Sequence, residues 1–72
     1  MKIGSIYKAA DTVNGIKTPG GYAIIRRIDS QKGTITFSVS ETPDNFPKSA
    51  FTVSNDDFKM IYQTEIISAT DL

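Results

Sequence analysis

The chain of 72 residues has no cysteine, no histidine and no tryptophan. The lack of cysteine excludes disulfides and thiolate nucleophiles. Lacking both cysteine and histidine, the chain cannot build the usual structural zinc sites. A general base would have to be a carboxylate, a lysine or a tyrosine with a shifted pKa. No apolar run approaches the roughly 20 residues needed to cross a bilayer. The start, Met1-Lys2-Ile3-Gly4-Ser5-Ile6, lacks the apolar stretch of a signal peptide. A cytoplasmic location with no membrane partner is therefore expected, and cysteine-free composition fits a reducing compartment. Charge of neither sign predominates: eight basic residues meet eight acidic ones. Strong nonspecific affinity for nucleic acid rests on neutralising phosphates, so net neutrality argues against it.

The balance is uneven along the chain. Residues 1–36 carry six basic and two acidic side chains, net +4, and residues 37–72 carry two and six, net −4. A dipolar surface of that kind attracts a charged partner or another copy. A small all-β fold that places strands of both halves side by side averages it out.

The most regular stretch is Thr34-Ile35-Thr36-Phe37-Ser38-Val39-Ser40. Hydroxyl and apolar residues alternate without a fault, the signature of a half-buried antiparallel strand. Tyr22 to Ile28 reads as its partner, with Ser30-Gln31-Lys32-Gly33 as the turn. Ile3 to Ala9 is expected as a first strand. Between them, Asn14-Gly15 favours a tight turn, pairing Thr12-Val13 with Ile16-Lys17, and Pro19-Gly20 favours another. After the central hairpin, Pro43 and Pro47 interrupt any ladder. Ala50 to Val53 resumes a strand. Ser54-Asn55-Asp56-Asp57 is a capping pattern that starts a helical turn to Tyr62. Thr64 to Ala69 closes as a last strand, and Thr70-Asp71-Leu72 is expected to fray. The expectation is one all-β domain, a five-stranded barrel or roll with one helical turn. Its expected core is Ile3, Ile6, Tyr7, Tyr22, Ile24, Ile28, Ile35, Phe37, Val39, Phe51, Val53, Phe58, Ile61 and Ile66.

Gly4 and Tyr7 in the first strand, a long first loop, a central hairpin and a helical turn before the last strand resemble a small SH3-like barrel. The likeness lies in element order across nearly the whole chain. Without tryptophan and without an acidic cluster in the first loop, it does not imply binding of proline-rich peptides. Size and lack of catalytic equipment also resemble phage- or plasmid-encoded accessory proteins.

Catalytic residues are not expected. Asp56-Asp57 is explained by helix capping, and no G-x-S-x-G or S-x-x-K pattern surrounds the serines. No metal or cofactor is expected, because the Asp44-Asn45 and Asp56-Asp57 pairs lack the spaced oxygen ligands of a calcium loop. The leading expectation is a non-enzymatic protein-binding module, an adaptor or inhibitor, with self-association into a homo-oligomer as one form. Its candidate contacts are Phe46 and Asn45 on the proline-flanked loop, and Asn14, Ile16 and Lys17 on the first loop. The alternative is a nucleic acid or a small nucleotide held by Arg26, Arg27, Lys8 and Lys32. Strand alternation places the two arginines on opposite faces of the sheet, so one of them needs an acidic or anionic partner.

Overall fold

A computed structural model of the chain describes residues 1–69. Its elements are β1 (Ile6–Ala9), β2 (Thr12–Val13), β3 (Ile16–Lys17), β4 (Tyr22–Asp29), β5 (Thr34–Ser40), β6 (Phe51–Ser54), α1 (Asn55–Ile61) and β7 (Tyr62–Ile67). The protein is all-β apart from that one short helix. Five strands form an antiparallel sheet in the order β6-β5-β4-β1-β7, and β2 and β3 form a separate hairpin. Among the described residues β6 and β7 are the two edges of that sheet and do not pair with each other. No helix among them is long and apolar enough to cross a membrane.

Local chemistry explains most of these boundaries. Asn14 (φ 53°) and Gly15 (φ 79°) both take the left-handed region that a tight hairpin turn needs. At the β4–β5 turn, the Asp29 carboxylate accepts from the Gln31 and Lys32 N–H groups at 3.1 Å each. Ser54 caps α1, its hydroxyl accepting from the Asp57 N–H at 3.1 Å, with Asp56 and Asp57 in the positive first turn. The first strand starts later than expected. Gly4 has φ +93° and the Ser5 N–H donates to the Lys2 carbonyl at 3.1 Å. A turn therefore stands where residues 3–5 were expected to be extended, and Ile3 is exposed.

One face of the sheet carries a dry core under α1. Ala9, Ala23, Ile25, Ile35, Phe37, Phe58 and Tyr62 are buried together, with Tyr7, Val39, Val53 and Ile61 packed against them. Phe58 stands at its centre: its ring lies 5.1 Å from those of Phe37 and Tyr62 and 5.6 Å from that of Tyr7. Such contacts each add about 0.5–1.5 kcal/mol beyond area burial.

A β-bulge in β4 corrects two expectations. Ile25 pairs with Phe37 but Arg27, not Arg26, pairs with Thr36, so Arg26 is the extra residue. Paired residues share a face. Ile25 and Ile28 thus both face the core, and Ile24, opposite Ser38, faces the other side. The bulge also puts Arg26 and Arg27 on the same face, where strict alternation separates them. Four further expected core residues lie at the margins: Ile28, Phe51 and Ile66 are exposed and Tyr22 is half-buried. Tyr62, Ala9 and Ala23 take their places in the interior. Thr70-Asp71-Leu72, expected to fray, lie outside the described residues.

Candidate functional site

The β2–β3 hairpin stands against α1 and leaves a groove of about 330 Å³ between them. Val13, Asn14, Ile16, Lys17, Thr18 and Pro19 line it from the hairpin side, and Met60 and Ile61 from the helix. Ile16 is 73% exposed and Met60 47%, so two large apolar side chains meet water at one place.

The hairpin is held in place. The Thr18 N–H donates to the Asp11 carbonyl at 3.0 Å and the Thr18 hydroxyl donates to the Ala10 carbonyl at 2.5 Å. The same hydroxyl oxygen accepts from the Gly20 N–H at 3.2 Å. These bonds close the base of the excursion, so Ile16 is presented on a stiff support and loses little entropy when bound.

A second groove, of about 500 Å³, adjoins the first at Pro19. Phe37, Phe51, Tyr62 and Val39 line it with Pro19, Gly20, Gly21, Ser40 and Glu41. Gly21 is required there: at φ +83°, a Cβ would stand 2.7 Å from the Ser40 carbonyl oxygen. The ring of Phe51 is 54% exposed while lying 6.1 Å from that of Phe37, so the aromatic core opens to the surface at this end.

Of the candidate partner-binding residues, Asn14, Ile16 and Lys17 come together in one groove. Asn45 and Phe46 do not join them. Their loop crosses the opposite face of the sheet, where the Arg26 Nε donates to the Ser38 hydroxyl at 3.2 Å and its Nη2 to the Pro47 carbonyl at 3.3 Å. The Ser38 hydroxyl in turn donates to the Ser49 carbonyl at 2.8 Å. Asn45 is exposed and Phe46 is half-buried on this tethered loop. Met60 was missed by reading the sequence, although a signal exists: it falls off the helical face set by Phe58, Ile61 and Tyr62, leaving an apolar side chain on the water side.

The candidate anion-binding residues separate as well. Arg27 and Lys32 line a polar groove of about 250 Å³ with Asp29, Thr34, Thr36 and Thr52. Arg26 is exposed on the face away from the core and bonds Ser38 and Pro47, so neither arginine enters the core face and the acidic or anionic partner expected from strand alternation is not required. Lys8 is exposed on β1, opposite Tyr22 and Thr64, and is not part of that groove.

At the β1–β7 seam, the Tyr7 hydroxyl donates to the Glu65 carboxylate at 2.5 Å, and the Ser68 hydroxyl donates to its other oxygen. Burial first, then the hydrogen bond and negative charge of Glu65, push the Tyr7 phenol up to about 12. The Ser68 and Tyr7 hydroxyls hold the Glu65 carboxyl below its ordinary value. This pair favours a neutral phenol and a charged acid, the reverse of an activated base.

Compared with known proteins, the chain matches no family model, no curated protein and no solved structure.

Proposed function

We propose that the chain is a non-enzymatic protein-binding module, an adaptor or inhibitor, that takes its partner in the groove between the β2–β3 hairpin and α1. The observation that carries this reading is Ile16, exposed on a braced hairpin beside Met60, which is exposed as well. Covering a side chain of that size contributes about 1.5–3 kcal/mol. The partner side of such a contact is an apolar anchor, with Lys17 at the margin suited to an acidic neighbour. The order of the strands and the helix between β6 and β7 support the likeness to SH3-like barrels, a fold that serves as a scaffold for binding surfaces. The likeness to phage- and plasmid-encoded accessory proteins makes a host protein the partner class, and the cytoplasm the place of the encounter.

Immobilised full-length chain tests this. The wild type is expected to retain a discrete protein from lysate of its source that Ile16→Asp does not retain, with both chains melting alike because Ile16 is outside the core. Equal retention by the two chains, or none by the wild type, overturns the reading.

A second reading, anion binding, is supported by Arg27 and Lys32 lining one groove with three threonines. Asp29 in the same groove weakens it by opposing an anion. With three tyrosines and no tryptophan, the chain absorbs weakly at 280 nm. A copurified nucleotide would therefore dominate its ultraviolet spectrum, and would be lost in Arg27→Ala/Lys32→Ala. A plain tyrosine spectrum ends this second reading.

A further inference from the structure

The two edges of the main sheet are built differently. On β7, the register against β1 shifts twice, between Ile6 and Tyr7 and between Lys8 and Ala9, and the charged Glu65 sits within the strand. Bulges and charges are the devices by which a sheet edge avoids pairing. The other edge, β6, has none of them. Phe51-Thr52-Val53-Ser54 runs in unbroken register against β5, with no charge, no proline and no bulge.

The outward groups of β6 follow from its ladder. The Asn55 N–H donates to the Gly33 carbonyl at 2.7 Å, in register with the β5–β6 pairing. Hydrogen-bonded pairs alternate along an antiparallel ladder, so Val53 and Phe51 bond to β5. The backbone N–H and C=O of Thr52 and the N–H of Ser54 then point away from the sheet, while the Ser54 carbonyl, at the N-cap, turns into α1. Among the described residues no strand pairs on that side.

We infer that β6 pairs antiparallel with β6 of a second copy, centred on Thr52, to join two five-stranded sheets into one. A two-fold axis normal to the sheet keeps the core faces of both copies on the same side. It sets Thr52 opposite its own counterpart, and Phe51 of each copy opposite Val53 of the other. The two Thr52 residues are then the closely spaced pair that exchanges both N–H···O bonds, with the backbone groups that β5 leaves free. Phe51 and Val53 meet in the intervening positions, where side chains approach most closely. Aromatic with β-branched and threonine with threonine are favourable cross-strand combinations. The 54% exposed Phe51 gains cover, and the Thr36–Thr52 hydroxyl pair at 2.8 Å continues across the junction. No like charges are brought together. Neither Ile16 nor Met60 takes part, so this contact and the proposed partner groove stand or fall separately.

The strand is short, so the dimer is expected to be weak and to dissociate on dilution. Light scattering on the full chain over a concentration series is expected to pass from monomer to dimer mass. Amide exchange at Thr52 and Ser54 should slow as the dimer forms. Thr52→Lys places like charges opposite each other at the axis and is expected to leave a folded monomer at every concentration, while Ile67→Lys on β7 leaves the dimer intact. A wild type that stays monomeric overturns the inference, as does a Thr52→Lys chain that still dimerises. Dissociation by Ile67→Lys alone would overturn it too, by assigning the contact to the other edge.

Discussion

The two faces of the sheet are covered by different physics. The core face lies under α1 and is dry and aromatic, with Phe58 enclosed by Phe37, Tyr62 and Tyr7. On the opposite face, the chain between β5 and β6 is fastened over the sheet by the Arg26–Ser38 pair and the carbonyls of Pro47 and Ser49. Ser38 is as completely buried as Phe58, yet it is buried by bonds rather than by apolar contact. A domain this small has too little apolar material to cover both faces. It sets most of its aromatics on one; over the other, which carries Ile6, Ile24 and Tyr22, it clamps the loop with a serine, an arginine and two carbonyls.

The largest effect follows from breaking the aromatic face. Phe58→Ala is expected to cost about 3–5 kcal/mol, because α1 cannot collapse far enough to close the cavity. Stabilities run at roughly 0.05–0.15 kcal/mol per residue, so for 72 residues the total is about 4–11 kcal/mol and the loss removes roughly a third of it at the upper end and all of it at the lower. Urea denaturation followed by circular dichroism measures it. A loss no larger than that of a surface substitution would mean that the dry face is not what holds the sheet together.

Breaking the polar face is expected to do less, and locally. Arg26→Ala removes the bonds to Ser38 and Pro47, a cost of about 1–3 kcal/mol for charge-assisted bonds at a partly wet site. Amide exchange should quicken across residues 41–50 while the amides of β1, β4 and β5 hold their protection. Arg26→Met, which keeps the apolar stem, is expected to repeat the effect; if it restores protection, the arginine acts by packing alone.

These faces were unequally legible in the sequence. The alternation of Thr34 to Ser40 states which side of β5 meets the core, and Ile35 and Phe37 are buried accordingly. Asn14-Gly15 announces its turn, and Ser54 announces the helix. The bulge at Arg26 is different, since nothing local marks it: no glycine or proline stands there, and the extra residue is fixed by pairing with β5. Missing it exchanges Ile24 for Ile25 in the core and separates two arginines that share a face. The burial of Ser38 was illegible for the same kind of reason. A hydroxyl in an alternating strand reads as solvated, and what covers it comes from residues 47 and 49, brought back by a loop. Of the candidate site, the hairpin half was readable from Asn14, Ile16 and Lys17. The helix half was not, because Met60 gains its meaning from standing beside Ile16.

The smallest expected effect sharpens the comparison, because it concerns a polar contact at the margin of the aromatic face. Tyr7 packs its ring 5.6 Å from that of Phe58 and reaches Glu65 with its hydroxyl. Its phenol is pushed from 10.0 up to about 12 by burial and by Glu65, so the fold favours the neutral form. A raised folded value contributes stability that is fully present below the unfolded value, near pH 10, and is lost as the pH climbs toward 12. Glu65 works in the opposite direction: its lowered value gives a contribution present at neutral pH and lost on acidification. Burial raises Tyr62 as well, so two tyrosines share the alkaline loss. Tyr7→Phe keeps the ring against Phe58 and removes only the titrating group. Its melting temperature is expected to fall less than that of the wild type between neutral pH and about pH 11, with the remaining fall assigned to Tyr62. Identical alkaline profiles for the two chains would show that the Tyr7–Glu65 bond rides on the aromatic face without contributing to it.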